Sequence, residues 1–166
     1  MSNVYTANVF RFIFLILVQG LVLKGIELEH INIFLYPLFI MLLPLELAHG
    51  LVVLAAFCMG LSIDMFYDSF GLHAASLVIV AFARPLLCAL IEPRGGYEVG
   101  QSLTKHSLGF RWFIRYSAII SFSHILIVSS LEDLSIGWLW LARILIGFVL
   151  SLFLVILYQF IFNPKQ

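Results

Sequence analysis

Residues 51–91, LVVLAAFCMGLSIDMFYDSFGLHAASLVIVAFARPLLCALI, decide the class of fold. Two apolar runs, 51–67 and 72–91, flank the turn Asp68, Ser69, Phe70, Gly71. Each run comes close to the ~20 residues that a helix needs to cross ~30 Å of hydrocarbon. Working outward, runs at 9–26, 112–131 and 136–162 have the same character. A shorter run, 31–45, carries Pro37 and Pro44 and reads as a kinked span or as a segment dipping in from one face. Counted as a span, it makes the fold an all-α integral membrane protein, a single six-helix transmembrane bundle over residues 1–166.

Composition excludes the soluble alternative. Of 166 residues, 63% are hydrophobic and 11% charged, against roughly 45–50% and about 25% in average soluble domains. A single core of this size buries only about 70% of the surface its unfolded chain exposes, so a mean hydropathy of +1.10 would leave large apolar patches in water. A formal net charge of zero, with no basic stripe, argues against nucleic acid as a partner. Cys58 and Cys88 sit inside apolar runs without metal or disulfide spacing and read as small buried hydrophobes. The run at 9–26 carries Arg11 near its start and lacks a small-x-small cleavage site, so it reads as an uncleaved anchor.

Cytoplasmic loops are enriched in Lys and Arg. Six spans with both termini inside collect Arg11, Arg94, Lys105, Arg111, Arg115 and Lys165 on the inner face, together with the long polar connection 92–110. The outer turns hold Glu27, Glu29, Asp64, Asp68, Glu132 and Asp133. Trp112, Tyr116, Trp138, Trp140 and Tyr158 fall near span ends, where amphipathic rings anchor helices at the interface.

Polar residues inside the lipid zone are the candidates for special roles. Ala56, Gly60, Asp64 and Asp68 recur every four residues and so form one stripe, small near the middle and acidic toward the outer end. Small residues admit a neighbouring backbone. Asp64 then pairs with Arg143 or with Lys24, while Asp68 orders a turn in which Gly71 supplies the permissive backbone. The alternative for Arg143 is snorkelling to the outer head groups. Arg84, followed by Pro85, either snorkels to the inner boundary or is neutralised by Glu46 or Glu92. His124, near Ser121 and Ser123, reads as an interior hydrogen-bonding residue. His73 lies close enough to Asp64 and Asp68 to raise an external metal site, which the pattern does not favour. No nucleophile elbow, zinc-protease motif, phosphate loop or pair of intramembrane aspartates at protease spacing is present in the sequence. The reading is therefore of a protein that is not an enzyme and carries no cofactor or metal. Two small-xxx-small faces, Ser117 with Ser121 and Gly147 with Ser151, are candidate partner interfaces.

Tyr36, Pro37, Leu38, then Leu43, Pro44, then Gly60, Leu61, Asp64, Asp68, Gly71, Leu72, His73, Ala74, and finally Phe82, Ala83, Arg84, Pro85 together resemble the rod shape-determining MreD family, in a form similar to that of Bacteroidetes bacteria. The motifs fall within residues 36–97, a little over a third of the chain. The resemblance implies a bacterial cytoplasmic-membrane scaffold that accompanies MreC and works with MreB, RodA and a penicillin-binding transpeptidase in lateral peptidoglycan synthesis. It also implies a fold similar to the vitamin-binding S components of energy-coupling-factor transporters, which supplies an alternative function as a substrate-binding transporter subunit. Against that alternative stand the absence of an A-x-x-x-A pattern in the first span and the shortness of the turn from Glu27 to Asn32.

Overall fold

A computed structural model describes residues 2–26, 31–98, 100–133 and 137–162. Glu27, Glu29 and Lys165, counted above among the loop charges, lie outside the described residues, as does residue 136 at the start of the last run. The described chain is all-helical. Helix α1 (Ser2–Leu17) continues through a π-helical turn, Val18–Leu23, and a 3-10 turn, Lys24–Ile26. One turn of helix, α2 (Leu38–Met41), precedes α3 (His49–Tyr67) and α4 (Leu72–Leu90). Short α5 (Lys105–Leu108) leads into α6 (Phe110–Glu132), and α7 (Trp138–Phe162) completes the bundle. Five helices are long and apolar enough to cross a membrane.

The expected sixth spanning helix is not formed. Residues 31–35 have no regular secondary structure, and only Leu38–Met41 coil into a single turn. Pro37 and Pro44 are the cause: each removes an N–H and disfavours the helical region for the residue before it, leaving no uninterrupted helical run. The segment nevertheless runs the length of the bundle. Asn32 donates to Glu132 at the end of α6 (2.8 Å), Tyr36 reaches His124 (2.8 Å), and the Met41 carbonyl accepts from Tyr116 (3.2 Å). These contacts descend α6 from residue 132 to residue 116, about 24 Å at 1.5 Å per residue. Helices α1 and α3 point the same way, because Lys24 at the end of α1 bonds the Phe66 carbonyl at the end of α3. The intervening chain must therefore return between them.

Irregular backbone at membrane depth is tolerated only where protein surrounds it. Every residue from 33 to 43 is buried, whereas only 22–44% of positions are in the 18-residue apolar stretches of the five long helices. Four helices send polar side chains to the backbone of this strand-like core. Gln19 accepts from Leu35 N (2.8 Å) and donates to the Ile33 carbonyl (2.9 Å). Ser151 on α7 accepts from Phe34 N (2.8 Å). Tyr116 on α6 donates to the Met41 carbonyl, and Arg84 on α4 donates to the Leu43 carbonyl. The π-helical turn widens α1 at the place where Gln19 must reach inward.

Packing between α3 and α4 is the most extensive between helices of the bundle. Ala56 is buried, and Gly60 faces α4, where a Cβ placed on it would overlap the Cα of Ala74. The expectation that the small half of the stripe admits a neighbouring backbone describes this contact. At the opposite end from Glu132, Phe14 packs on Phe162 and Lys105 lies over the ring of Phe160. The start of α1, the end of α7 and the 92–110 connection thus share one end of the bundle.

Candidate functional site

Asp64 and Arg84 are both buried within the bundle, and the structure uses them differently. Asp64, near the end of α3, is 3% exposed. Its Oδ1 accepts from Ser69 Oγ (2.6 Å), His73 N (2.9 Å) and His73 Nδ1 (3.0 Å), and its Oδ2 from Ala74 N (3.0 Å). The residue preceding α4 is Gly71, at φ +80°, which has no side chain to cap the helix. Asp64 supplies that cap from the previous helix, placing a carboxylate where the N-terminal N–H groups and the helix dipole favour one.

The expected pairing of Asp64 with Arg143 or Lys24 is corrected. Arg143 is half-buried on α7 and forms no ion pair among the described residues, while Lys24 lies 3.8 Å from Asp68. Local N–H donors already saturate the Asp64 carboxylate, which removes the need for a remote cation. Asp68 takes the left-handed conformation, φ +53°, that closes α3, with its side chain in the open. It therefore belongs to the turn, as does Gly71. His73 serves Asp64, and its ring sits among Phe34, Tyr36 and Tyr67. No group of metal-ligating side chains occurs among the described residues.

Arg84, near the other end of α4, is also 3% exposed. Its Nε donates to Tyr116 Oη (2.9 Å) and one Nη to the Leu43 carbonyl. Neither carboxylate expected to neutralise it does so. Glu46 accepts from Gly100 N, and Glu92 stands exposed without an ion pair to Arg84. Arg84 is thus not a snorkelling residue: its guanidinium holds two remote segments together. Pro85 presents an exposed edge beside it, and half-buried Pro44 begins the turn that ends at Leu47.

Arg84 also forms part of the wall of a cavity of ≈ 270 Å³, shared with Leu45, Val52, Pro85, Ala89 and Glu92. Tyr97 closes one side, donating from its hydroxyl to the Cys88 carbonyl (2.8 Å). Burial, reinforced by the neighbouring Cys88 thiol, pushes the Tyr97 phenol up to about 12. Trp112 donates to the Ile91 carbonyl (2.8 Å), pinning the end of α4 to α6.

Both candidate partner faces turn inward. Ser151 holds Phe34, and a Cβ on Gly147 would overlap the Asn32 carbonyl oxygen. Ser117 is fully buried and bonds the Phe113 carbonyl (2.7 Å), and Ser121 is buried beside His124. Gly147 and Ser151 make room for the central segment, and Ser117 and Ser121 are buried within the bundle, so their availability to another chain is corrected. Tyr116, expected as an interface anchor, is fully buried. The residue that sequence reasoning passed over is Gln19, a lone amide in the first apolar run. Its signal was the cost of an unpaired amide in lipid.

Compared with known families, curated proteins and solved structures, the chain matches none. Its own geometry therefore carries the functional reading.

Proposed function

We propose that this chain is a non-enzymatic, multi-pass scaffold of the bacterial cell-elongation machinery, similar to the MreD family. Its partner is a membrane-anchored MreC-like protein, with MreB, RodA and a penicillin-binding transpeptidase in the same assembly. The reading rests on the ordered run from Tyr36 to Pro85. Its members have coordinated mechanical roles: Gly60 admits α4, Asp64 caps it, Asp68 and Gly71 turn the chain, and Arg84 ties α4 to the 31–45 segment. An ordered motif whose members serve one folding device is a stronger basis for resemblance than scattered matches. In this reading the protein lies in the cytoplasmic membrane, with the end that bears Arg94, Lys105, Arg111 and Arg115 inside.

A partner is met mainly within the membrane plane, where close packing rather than the hydrophobic effect drives association. Since Gly147, Ser151, Ser117 and Ser121 serve the interior, the contact falls to outward residues of α1 and α7, such as Phe10, Ile13, Val149 and Phe153, all exposed. Depletion in the native host, with cell width and the position of newly labelled wall as readouts, tests this. Rounded cells, together with recovery of the MreC-like protein in mild detergent, are expected. Unchanged shape and no recovery would overturn the proposal, and tight binding of a vitamin-sized ligand would move it to the transporter alternative.

A further inference from the structure

The guanidinium of Arg84 offers five N–H donors, yet the protein takes up only Nε and one Nη2 hydrogen, on Tyr116 and Leu43. No carboxylate lies within ion-pair distance of Arg84 among the described residues. A buried cation without a counter-charge is costly, and this one borders a cavity. Arg84 precedes the last residue of α4 by six positions, about 9 Å, so the cavity lies toward the end of the bundle that carries the 92–110 connection. The cavity's other walls are mostly apolar, with Leu45, Val52, Pro85 and Ala89 among them, while Glu92 lines it from an exposed position. Tyr97 has its hydroxyl committed to Cys88, and His49 packs against Phe82. At ≈ 270 Å³ the space falls just below the range of roughly 300–1,000 Å³ that encloses whole drug-sized ligands. It suits a head group whose acyl chains leave along the bundle, past exposed Leu86 and Leu90.

We propose that this cavity binds a phospholipid head group of the phosphoethanolamine class, with its phosphate on Arg84 and its ammonium toward Glu92. A cation at the floor and a carboxylate at the rim complement a zwitterion better than they complement a simple anion. A primary ammonium has three N–H donors for Glu92, whereas a trimethylated one has none. The source is the membrane leaflet at that end of the bundle.

Native mass spectrometry of the full chain in mild detergent tests the assignment with phosphatidylethanolamine, phosphatidylglycerol and phosphatidylcholine of equal chain length, and with free phosphoethanolamine. Phosphatidylethanolamine is expected to be retained at about tenfold lower concentration than either other lipid. Ala89→Phe, which narrows the cavity from an exposed position, should remove that retention. Glu92→Gln, in the exposed connection, should keep phosphate-dependent binding while abolishing the preference over phosphatidylglycerol. It also provides a readout if Ala89→Phe fails to fold. Equal retention of all three lipids, or an unaltered preference in Glu92→Gln, would overturn the proposal. Free phosphoethanolamine competing at the same concentration as the lipid would assign the site to a soluble ligand and overturn the membrane source.

Discussion

Asp64 and Arg84 are buried to the same extent, but one is closed and the other open. Asp64 is satisfied by donors within ten residues of itself, in the turn after α3 and the first turn of α4. Arg84 is held by groups 32 and 41 residues away and still borders a cavity. A charge saturated by its own turn is a component of the fold. A charge held by remote elements, with donors left over, is both a clasp and a place where something else can bind.

Asp64→Ala should produce the largest effect. It leaves two backbone N–H groups, the Ser69 hydroxyl and the His73 ring without their acceptor. At about 1–3 kcal/mol for each buried group left unsatisfied, the total loss should exceed ~3 kcal/mol, read as a collapse in folded protein recovered from membranes. Recovery at the wild-type level would show that the turn closes without its carboxylate.

Arg84→Met should cost less, about 2–3 kcal/mol: two hydrogen bonds from a charged donor, at about 1.5–3 kcal/mol each, are lost, but a buried cation without a counter-charge is removed with them and the substituted side chain still packs. Its location is the sharper measure. Hydrogen exchange should accelerate in residues 38–43 and remain slow at His73 and Ala74. Equal acceleration at both ends of α4 would erase the distinction between clasp and cap.

Asp68 brings the comparison to the exposed surface. Its link to Lys24 is long and solvated, worth about 0–1 kcal/mol, but its left-handed backbone favours glycine. Asp68→Gly should therefore leave the thermal midpoint within about 2 °C of wild type or raise it, in contrast to Asp64→Ala. A fall as large as that of Asp64→Ala would place Asp68 within the buried network.

The smallest effect is at Tyr97, beside the open site. Because its phenol is raised in the folded state, the stabilisation it brings is present below about pH 10 and lost as pH rises toward about 12. Tyr97→Phe lacks that contribution throughout. The stability gap between the two proteins should close over this window, and a constant gap would show that the Tyr97 hydroxyl bond contributes nothing that titrates.

Much was legible in the residues before any fold was known. Five apolar runs long enough to span, the turn at Asp68–Gly71 and the close approach at Gly60 follow from local chemistry: length against hydrocarbon thickness, a glycine where φ is positive, and no Cβ where backbones meet. The 31–45 run was not legible in the same way. Its hydropathy suits a helix or an irregular strand equally, and its prolines exclude a regular helix without saying what replaces one. The choice depended on Gln19, Arg84, Tyr116 and Ser151, spread over 133 positions of the chain, arriving at the carbonyls and N–H groups that irregular backbone leaves unpaired. The partners of Asp64 and Arg84 were beyond reach for a related reason. Sequence spacing shows that a buried charge needs compensation, but its supplier depends on which groups come within about 3 Å, and only the packed bundle brings them there.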